Sequence, residues 1–221
     1  MGSSQTDLAD RADRARADRA RADRARDRID ELALRKIGEQ LLVALGYDVE
    51  APELRDTPSR WARWWIEFHR PQDARLDSTF EVKTAGHLVV VSGISVWSVC
   101  EHHLLPFSAQ LAIGYLPNGR VLGLSKFARI AMEIARRLQV QERLVEEVAA
   151  DVTAATGSPD VCVVARGRHL CMEARGIRSL ARTDTVVARG AFEADRGLRA
   201  DLFALAGLGA AGRDGREHLA W

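Results

Sequence analysis

Residues 87–97 read HLVVVSGISVW, and this run of Val and Ile predicts a β-strand. A second strand is predicted at 110–116. The dipeptide Asn118-Gly119 that follows is typical of a two-residue hairpin turn. We therefore expect the short apolar run 120–122 to be the next strand of a hairpin.

The segment 125–156 has a helical pattern, with Ser125 at a capping position. It is too long for one helix of a compact domain, so we expect two helices with a break near 138–140. The remaining strands are predicted at 161–166, 170–174 and 185–191. Strands on both sides of a helical pair indicate an α+β fold, with an antiparallel sheet packed against the two helices.

Two further helices are predicted ahead of the sheet. Apolar residues recur at helical spacing from Ile29 to Leu45, with Gly46 as the C-cap. The next helix begins with Thr57 as N-cap and Pro58 at the first helical position. Its aromatic face consists of Trp61, Trp64, Trp65 and Phe68. Such a cluster is more typical of packing, including a subunit contact, than of a ligand site.

Bulk composition excludes several classes of function. The chain has 32 Lys and Arg against 31 Asp and Glu, so no global charge favours nucleic acid. An anionic ligand would need a local basic cluster. The sequence lacks an apolar run near 18 residues and a signal-peptide core, which predicts a cytoplasmic protein without a membrane partner.

Residues 7–31 repeat an Arg-Ala-Asp-Arg-Ala unit and have almost no apolar face, so they indicate a solvated arm or an assembly element.

Two short clusters concentrate the metal-binding side chains. The chain has only three Cys and six His, and five of these nine residues lie in Cys100-Glu101-His102-His103 and His169-Leu170-Cys171. Cys100, His103 and Cys171 would supply the three protein ligands of a catalytic zinc site. His102 and His169 would be free imidazoles for proton transfer. The alternative is a set of buried structural Cys and His, as expected for Cys162 in its apolar run.

The order of five sequence blocks resembles GTP cyclohydrolase I. The blocks are DTPSR at 56–60, SVCEHHLLPF at 98–107, GLSKFARI at 123–130, RLQVQER at 137–143 and HLCMEARG at 169–176. The resemblance covers about residues 33–206. It implies the tunnelling fold (T-fold), in which sheets of several subunits join into a barrel, and a homo-oligomer, a decamer of two stacked pentamers with active sites at subunit interfaces.

The resemblance also implies an activity. Zn²⁺ on Cys100, His103 and Cys171 would lower the pKa of a water that adds to C8 of GTP. Formate leaves, and the product rearranges to 7,8-dihydroneopterin triphosphate. His102 would protonate N7 and His169 would assist ring opening, although these roles could be exchanged. Each imidazole could instead be a purely structural group.

The same resemblance assigns residues to the nucleotide. Glu142, with the adjacent Gln141, would recognise guanine, since a carboxylate can accept from both N1–H and the exocyclic N2–H. Ser125 would contact the ribose or phosphate end, in addition to capping its helix. The basic cluster for the triphosphate would consist of Arg60, Arg63, Lys126, Arg129 and Arg175. Glu101 has no assigned part.

These interpretations divide the chain into an arm at 1–31, a GTP cyclohydrolase I-like domain at 32–206 and a tail at 207–221. Within the domain, 32–70 would form the N-terminal helices and 80–206 the T-fold core. Two other functions remain open: a related T-fold enzyme, such as an epimerase or nitrile reductase, and a non-catalytic binding paralogue. The complete Cys/His/Cys set favours the zinc hydrolase over both. The downstream pathway and feedback regulation have no signal in the sequence.

Overall fold

The computed structural model describes residues 28–70, 79–81 and 86–208, with the backbone alone for 79–81. The chain divides into two compact units, Met1–Pro71 and Gln72–Trp221. The predicted arm, up to residue 27, and the predicted tail, from residue 209, lie outside the described residues. The division into arm, domain and tail therefore stays a prediction.

Among the described residues, the first unit has two helices, α1 at Glu31–Ala44 and α2 at Thr57–His69. The Asp30 carboxylate caps α1 by accepting from the Ala33 N–H at 3.0 Å. The chain leaves α1 through Gly46, whose φ of +83° suits glycine. The helices approach closely at Gly38, where a Cβ would lie 3.2 Å from the Pro58 Cα. The predicted N-cap was one residue late, because Asp56 precedes α2 and Thr57 is its first residue.

The aromatic side chains of α2 pack on one another. Trp64 and Trp65 meet edge to face with ring centroids 4.7 Å apart, and Trp64 stacks on Phe68 at 5.7 Å. Trp61 meets Trp65 at 5.9 Å. These contacts agree with the packing interpretation of the cluster.

The second unit is built on a five-stranded sheet. Its strands are β2 at Val89–Cys100, β3 at Pro106–Tyr115, β5 at Leu138–Gln139, β6 at Val161–His169 and β7 at Thr183–Ala188. The order is β5-β2-β3-β6-β7, antiparallel except for the β5–β2 pair. The predicted antiparallel sheet is confirmed. A bulge between Val91 and Ile94 interrupts the β2–β3 register, and Gly93 within it has a φ of +73°.

The predicted hairpin at Asn118-Gly119 was wrong in its pairing. The turn exists, with Gly119 at φ +73°, but the strand after it, β4 at Arg120–Leu122, pairs with β1 at Thr79–Glu81 in a separate two-stranded sheet. The partners of β3 are β2 and β6. The Asn118-Gly119 turn therefore predicted that the chain changes direction, but not that β4 pairs with β1.

The part of the second unit that the structure describes also contains α3 at Leu124–Ala135, α4 at Gln141–Thr156, α5 at Leu170–Glu173, α6 at Ala191–Ala194 and α7 at Arg196–Leu205. The break between α3 and α4 confirms the predicted division of 125–156. The predicted strand at 170–174 was wrong: α5 occupies it, closed by the Ala174 N–H donating to the Leu170 carbonyl at 2.9 Å. The strand predicted at 185–191 begins at Thr183 and ends at Ala188.

Alternating residues of β6 enter two apolar clusters on opposite faces of the sheet. Val161, Val163 and Ala165 join the main core under α3 and α4. Cys162 and Val164 face the other way, against Phe192 and Leu202 of α6 and α7. This alternation is the period of a strand buried on both faces, and it confirms Cys162 as a core residue. Among the helices of the described residues, none has the length and apolarity to cross a membrane.

Candidate metal centre

The candidate metal ligands meet at one end of the five-stranded sheet. Cys100 is the last residue of β2, and β6 ends at His169, two residues before Cys171 in α5. Strands β2 and β6 both flank β3 and are antiparallel to it, so their carboxyl ends lie at the same edge. The two clusters, far apart in sequence, are brought together by this topology.

A tight turn brings the third ligand back toward Cys100. The Cys100 carbonyl accepts from the N–H of His103 at 3.3 Å and from that of Leu104 at 2.8 Å. Leu104 has a φ of +53°, a conformation that non-glycine residues rarely adopt. The chain then returns through Leu105, whose carbonyl accepts from the Cys100 N–H at 2.9 Å. The turn presents Cys100 and His103 on the same side.

The donor atoms of Cys100, His103 and Cys171 all lie within 4.8 Å of one another. The Cys100 Sγ is 3.7 Å from the His103 Nδ1. Burial, and then the nearby Cys100 thiol, raise the pKa of Cys171, while Arg175 acts in the opposite direction. Two thiol sulfurs and one imidazole nitrogen are a donor set that suits zinc, so the residues present fit a metal ion. Cys100 is buried and His103 is exposed, which leaves one side of the group open to solvent.

His169 lies beside this group in a tightly defined environment. It stands opposite Phe107 in the β3–β6 register, and the two rings stack with centroids 4.7 Å apart and planes 9° apart. Its Nε2 is 2.9 Å from the Gln141 Oε1. Burial lowers the pKa of His169, and the charges of Glu142 and Glu173 act against that shift.

His102 is more exposed and has an acidic neighbour. Its Nε2 is 4.0 Å from a Glu101 oxygen, and the other Glu101 oxygen accepts from Arg143 at 2.5 Å. Arg143 also donates to the Gln139 side chain at 2.8 Å and to the Leu138 carbonyl at 2.8 Å. Glu101 is thereby tied to β5 and α4, and this contact orients the turn that contains His102.

The residues predicted to bind the nucleotide are spread over several elements. Ser125, Lys126 and Arg129 lie in the first two turns of α3. Arg175 follows α5 and is exposed. Arg60 and Arg63 belong to α2 of the first unit, where Arg60 pairs with Asp56 at 3.3 Å and Arg63 donates to the Ser59 carbonyl at 3.3 Å.

Two details of this set differ from expectation. Ser125 does not cap α3, because the helix begins at Leu124 after Gly123 and has no side-chain cap. Gln141, paired with Glu142 in the prediction of base recognition, is only 1% exposed, whereas Glu142 is exposed. Every polar atom of the Gln141 side chain is bonded within the chain.

Sequence reasoning missed three residues around His169 and His102: Phe107, Gly167 and Arg143. Phe107 ends the SVCEHHLLPF segment, and an apolar residue there indicates only packing. Gly167 lies inside strand β6, and an isolated glycine within a strand is a signal of close approach by another group. Arg143 follows Glu142 directly, but its pairing with Glu101 joins residues 42 positions apart.

Comparison with known proteins gives the family of the chain. The model of the family described as GTP cyclohydrolase I matches residues 34–207. The GTP cyclohydrolase 1 of Hyperthermus butylicus is 43% identical over 175 residues, covering 79% of this chain and 90% of that protein. The GTP cyclohydrolase 1 of Clostridium perfringens is 39% identical, covering 79% and 97%. That of Corynebacterium glutamicum is 42% identical, covering 75% and 88%.

Among solved structures, the apo archaeosine synthase QueF-Like covers 48% of this chain and 97% of its own, with a TM-score of 0.40 and 22% identity. That likeness adds nothing to the assignment, which follows from the sequence relatives and the matched residues. On these grounds the chain belongs to the GTP cyclohydrolase I family.

Proposed function

We propose that this chain is a GTP cyclohydrolase I, which opens the imidazole ring of GTP at C8, releases formate and forms 7,8-dihydroneopterin triphosphate. The observation that carries the proposal is the Cys100, His103 and Cys171 donor group in a chain of this family. His169 lies within two residues of one ligand and His102 beside another, so two imidazoles accompany the metal site.

Zn²⁺ is the metal we assign to the donor group. Two sulfurs and one nitrogen are its typical ligands in proteins, and three protein ligands are the number found in catalytic sites. A bound zinc ion would supply Lewis-acid chemistry that activates water near neutral pH. The exposure of His103 provides the open side by which water and substrate would enter.

The two imidazoles move protons. We assign the protonation of N7, which makes C8 electrophilic, to His102, and assistance in ring opening to His169. Burial lowers the pKa of His169, which favours the neutral ring that can accept a proton from the reacting water or ring. The Glu101–Arg143 pair fixes the turn on which His102 stands.

Glu142 recognises the base. Its carboxylate is exposed and directly follows Gln141, whose amide lies 2.9 Å from the His169 Nε2. It can accept from N1–H and N2–H of guanine, and the imidazole ring of the base would then face His169. Adenine has no donor at position 1. An exposed carboxylate in this place therefore supports selection of GTP.

The triphosphate requires a local basic cluster, because the chain has almost no net charge. Lys126 and Arg129, with the N-terminal N–H groups of α3 and the Ser125 hydroxyl, provide one anion-binding segment. Arg175 follows Cys171 by four residues and is exposed, so it would supply a further cation beside the metal ligands. We assign Arg60 and Arg63 to the same triphosphate.

We further propose that the α+β unit is a T-fold whose sheets join into a barrel, in a homodecamer of two pentamers with sites at subunit interfaces. The antiparallel sheet supports this assembly because β7 and most of β2 present unpaired edges within the described residues. A cytoplasmic location stays a prediction from the sequence.

The test is turnover of GTP by the purified full chain. Formate release and pterin fluorescence after oxidation are measured with and without a zinc chelator, together with metal content by elemental analysis. The Cys171→Ala variant should lose both metal and formate release. Cys162→Ala is the matched control, since it removes a thiol from the core on the other face of the sheet and should keep both.

We expect the wild type to release equal amounts of formate and neopterin product. Both products should be lost on chelation and in Cys171→Ala, but not in Cys162→Ala. A wild-type protein that binds zinc and keeps its assembly but releases no formate from GTP would overturn the proposed reaction. It would favour a T-fold relative with another substrate or a binding paralogue.

A further inference from the structure

Both polar atoms of the Gln141 side chain form hydrogen bonds, and one of them contacts His169 of the candidate active site. Gln141 is the first residue of α4 and is 1% exposed. Its Nε2 lies 2.8 Å from the Thr183 carbonyl, 2.9 Å from the Thr185 hydroxyl and 3.2 Å from the Ala165 carbonyl. Its Oε1 lies 2.9 Å from the His169 Nε2. The amide therefore joins α4, β6, β7 and His169.

The orientation of this amide follows from its neighbours. Two of the three groups around Nε2 are main-chain carbonyls, of Ala165 and Thr183, which can only accept hydrogen bonds. A rotated amide would place Oε1 against both carbonyl oxygens and leave no donor for them. Burial of an unsatisfied or repelling polar group is unfavourable, so the rotated form is disfavoured.

The amide orientation determines which nitrogen of His169 carries hydrogen. Because Gln141 presents an acceptor, the His169 Nε2 must donate, and the neutral ring is the Nε2–H tautomer. Its Nδ1 then holds the lone pair and has no hydrogen-bond partner among the described residues. Nδ1 is thus the ring atom available to exchange a proton with a substrate.

Two neighbours keep this arrangement in place. Phe107 stacks on the imidazole with planes 9° apart, which fixes the ring plane. Gly167 makes room for the hydrogen bond: a Cβ there would lie 1.9 Å from the Gln141 Oε1 and 3.2 Å from the His169 Nε2. No side chain larger than glycine fits without displacing the amide, which accounts for a glycine inside strand β6.

We propose that Gln141 is a positioning residue that holds His169 as the Nε2–H tautomer, with Gly167 providing the space, so that Nδ1 is the atom that accepts and returns the proton during ring opening. This inference rests on the proposed function for the part of His169 in the reaction. In this inference Gln141 orients His169 and does not contact the guanine base.

Three variants test the assignment. Gln141→Met keeps the length and volume of the side chain but presents no amide oxygen to His169. Gly167→Ala leaves Gln141 in the sequence and displaces its amide by the Cβ contact. Thr156→Val is the control, since it removes a buried hydroxyl of α4 away from His169. That hydroxyl donates to the Val152 carbonyl at 2.7 Å and accepts from the Ser158 N–H at 3.2 Å.

The first readout separates positioning from substrate binding. Loss of a correctly oriented imidazole lowers kcat, whereas loss of a contact with the base raises KM. We expect Gln141→Met and Gly167→Ala to lower kcat by about tenfold to hundredfold with KM for GTP changed by less than about twofold. Thr156→Val should keep both constants. An increase in KM at unchanged kcat in Gln141→Met would overturn the positioning role.

The second readout is the tautomer itself and needs no turnover. Solid-state ¹⁵N NMR of histidine-labelled full-length protein at pH 8 distinguishes protonated from unprotonated ring nitrogens, and the His169 signals are identified by their absence in His169→Asn. The wild type should show Nε2–H alone, and Gln141→Met a mixture with Nδ1–H. A wild-type Nδ1–H form, or an unchanged tautomer in Gln141→Met, would refute the inference. If the tautomer behaves as expected but the wild type releases no formate, the proposed function fails and the hydrogen-bond assignment stands.

Discussion

The buried ion pair between Arg137 and Glu147 yields a quantitative prediction for stability. Arg137 is 9% exposed and Glu147 is 4% exposed. One Glu147 carboxylate oxygen accepts from the Arg137 guanidinium and from the Gln139 side chain, the latter at 2.8 Å. The pair joins α4 to the segment between α3 and β5. The Gln139 side chain of β5, which donates to Glu147, also accepts from Arg143, the partner of Glu101.

Glu147→Gln removes the countercharge while keeping the shape of the side chain. Loss of one partner of a buried ion pair costs about 3–5 kcal/mol, because the other charge is left buried without compensation. The amide of Gln keeps one acceptor oxygen, so we expect a loss of about 3 kcal/mol, at the lower end of this range. For a chain of this size each kcal/mol lowers Tm by about 2–4 °C, which gives a decrease of about 6–12 °C.

The assay is thermal unfolding followed by circular dichroism, at one protein concentration because the proposed oligomerisation would make Tm depend on concentration. Asp184→Asn is the control: it breaks an ion pair with Arg166 in which the Asp184 side chain is 51% exposed, and should cost less than about 1 kcal/mol. The double variant Arg137→Met with Glu147→Leu should recover most of the loss. A Tm for Glu147→Gln within about 2 °C of the wild type would refute the reasoning, since that shift corresponds to less than about 1 kcal/mol.

Two further predictions concern the packing around β3 and β6. Burial raises the pKa of Cys162 to about 11 from 9.0, so between these values the folded chain binds more protons than the unfolded chain and the free energy of unfolding falls as pH rises. Urea denaturation at pH 8 and pH 10 should show a smaller decrease in Cys162→Ala than in the wild type, and parallel decreases would contradict this account. Gly114→Ala places a Cβ 2.2 Å from the Leu202 Cδ1, so we expect a loss of about 1–3 kcal/mol in the same assay. Leu202→Val in addition should recover part of that loss, and a Gly114→Ala variant as stable as the wild type would show that α7 can move aside.

Much of the second unit could be predicted because its signals are local. The Val- and Ile-rich run of β2, the alternation of β6 and the break near Leu138 all depend on residues close in sequence. The pairing of β4 could not be predicted, because its partner β1 lies about 40 residues earlier and presents only a Thr-Phe-Glu segment. The sequence predicts a strand at Leu170–Glu173, where the helix lies, because apolar residues follow directly on those of β6 and a short apolar run does not distinguish a strand from a helix.

The candidate site divides in the same way. Cys100 and His103 were predictable as neighbouring ligands, because the spacing of two intervening residues places both on one turn. The pairing of Gln141 with His169 was not, since it spans 28 positions and depends on how α4 packs against β6. Gly167 gave the only hint of it, and a glycine within a strand does not say which group approaches.

The sequence by itself determined which donors are present, how they are spaced and which segments alternate as strands or repeat as helices, because these properties depend on local backbone geometry and burial period. Only the tertiary structure decided which donors meet. The antiparallel order of β2, β3 and β6 brings Cys100 and Cys171 to one edge, and the packing of α4 places the Gln141 amide against His169. Contacts of this kind arise from cooperative burial of many apolar residues over the whole sheet, so no short stretch of the chain encodes them alone.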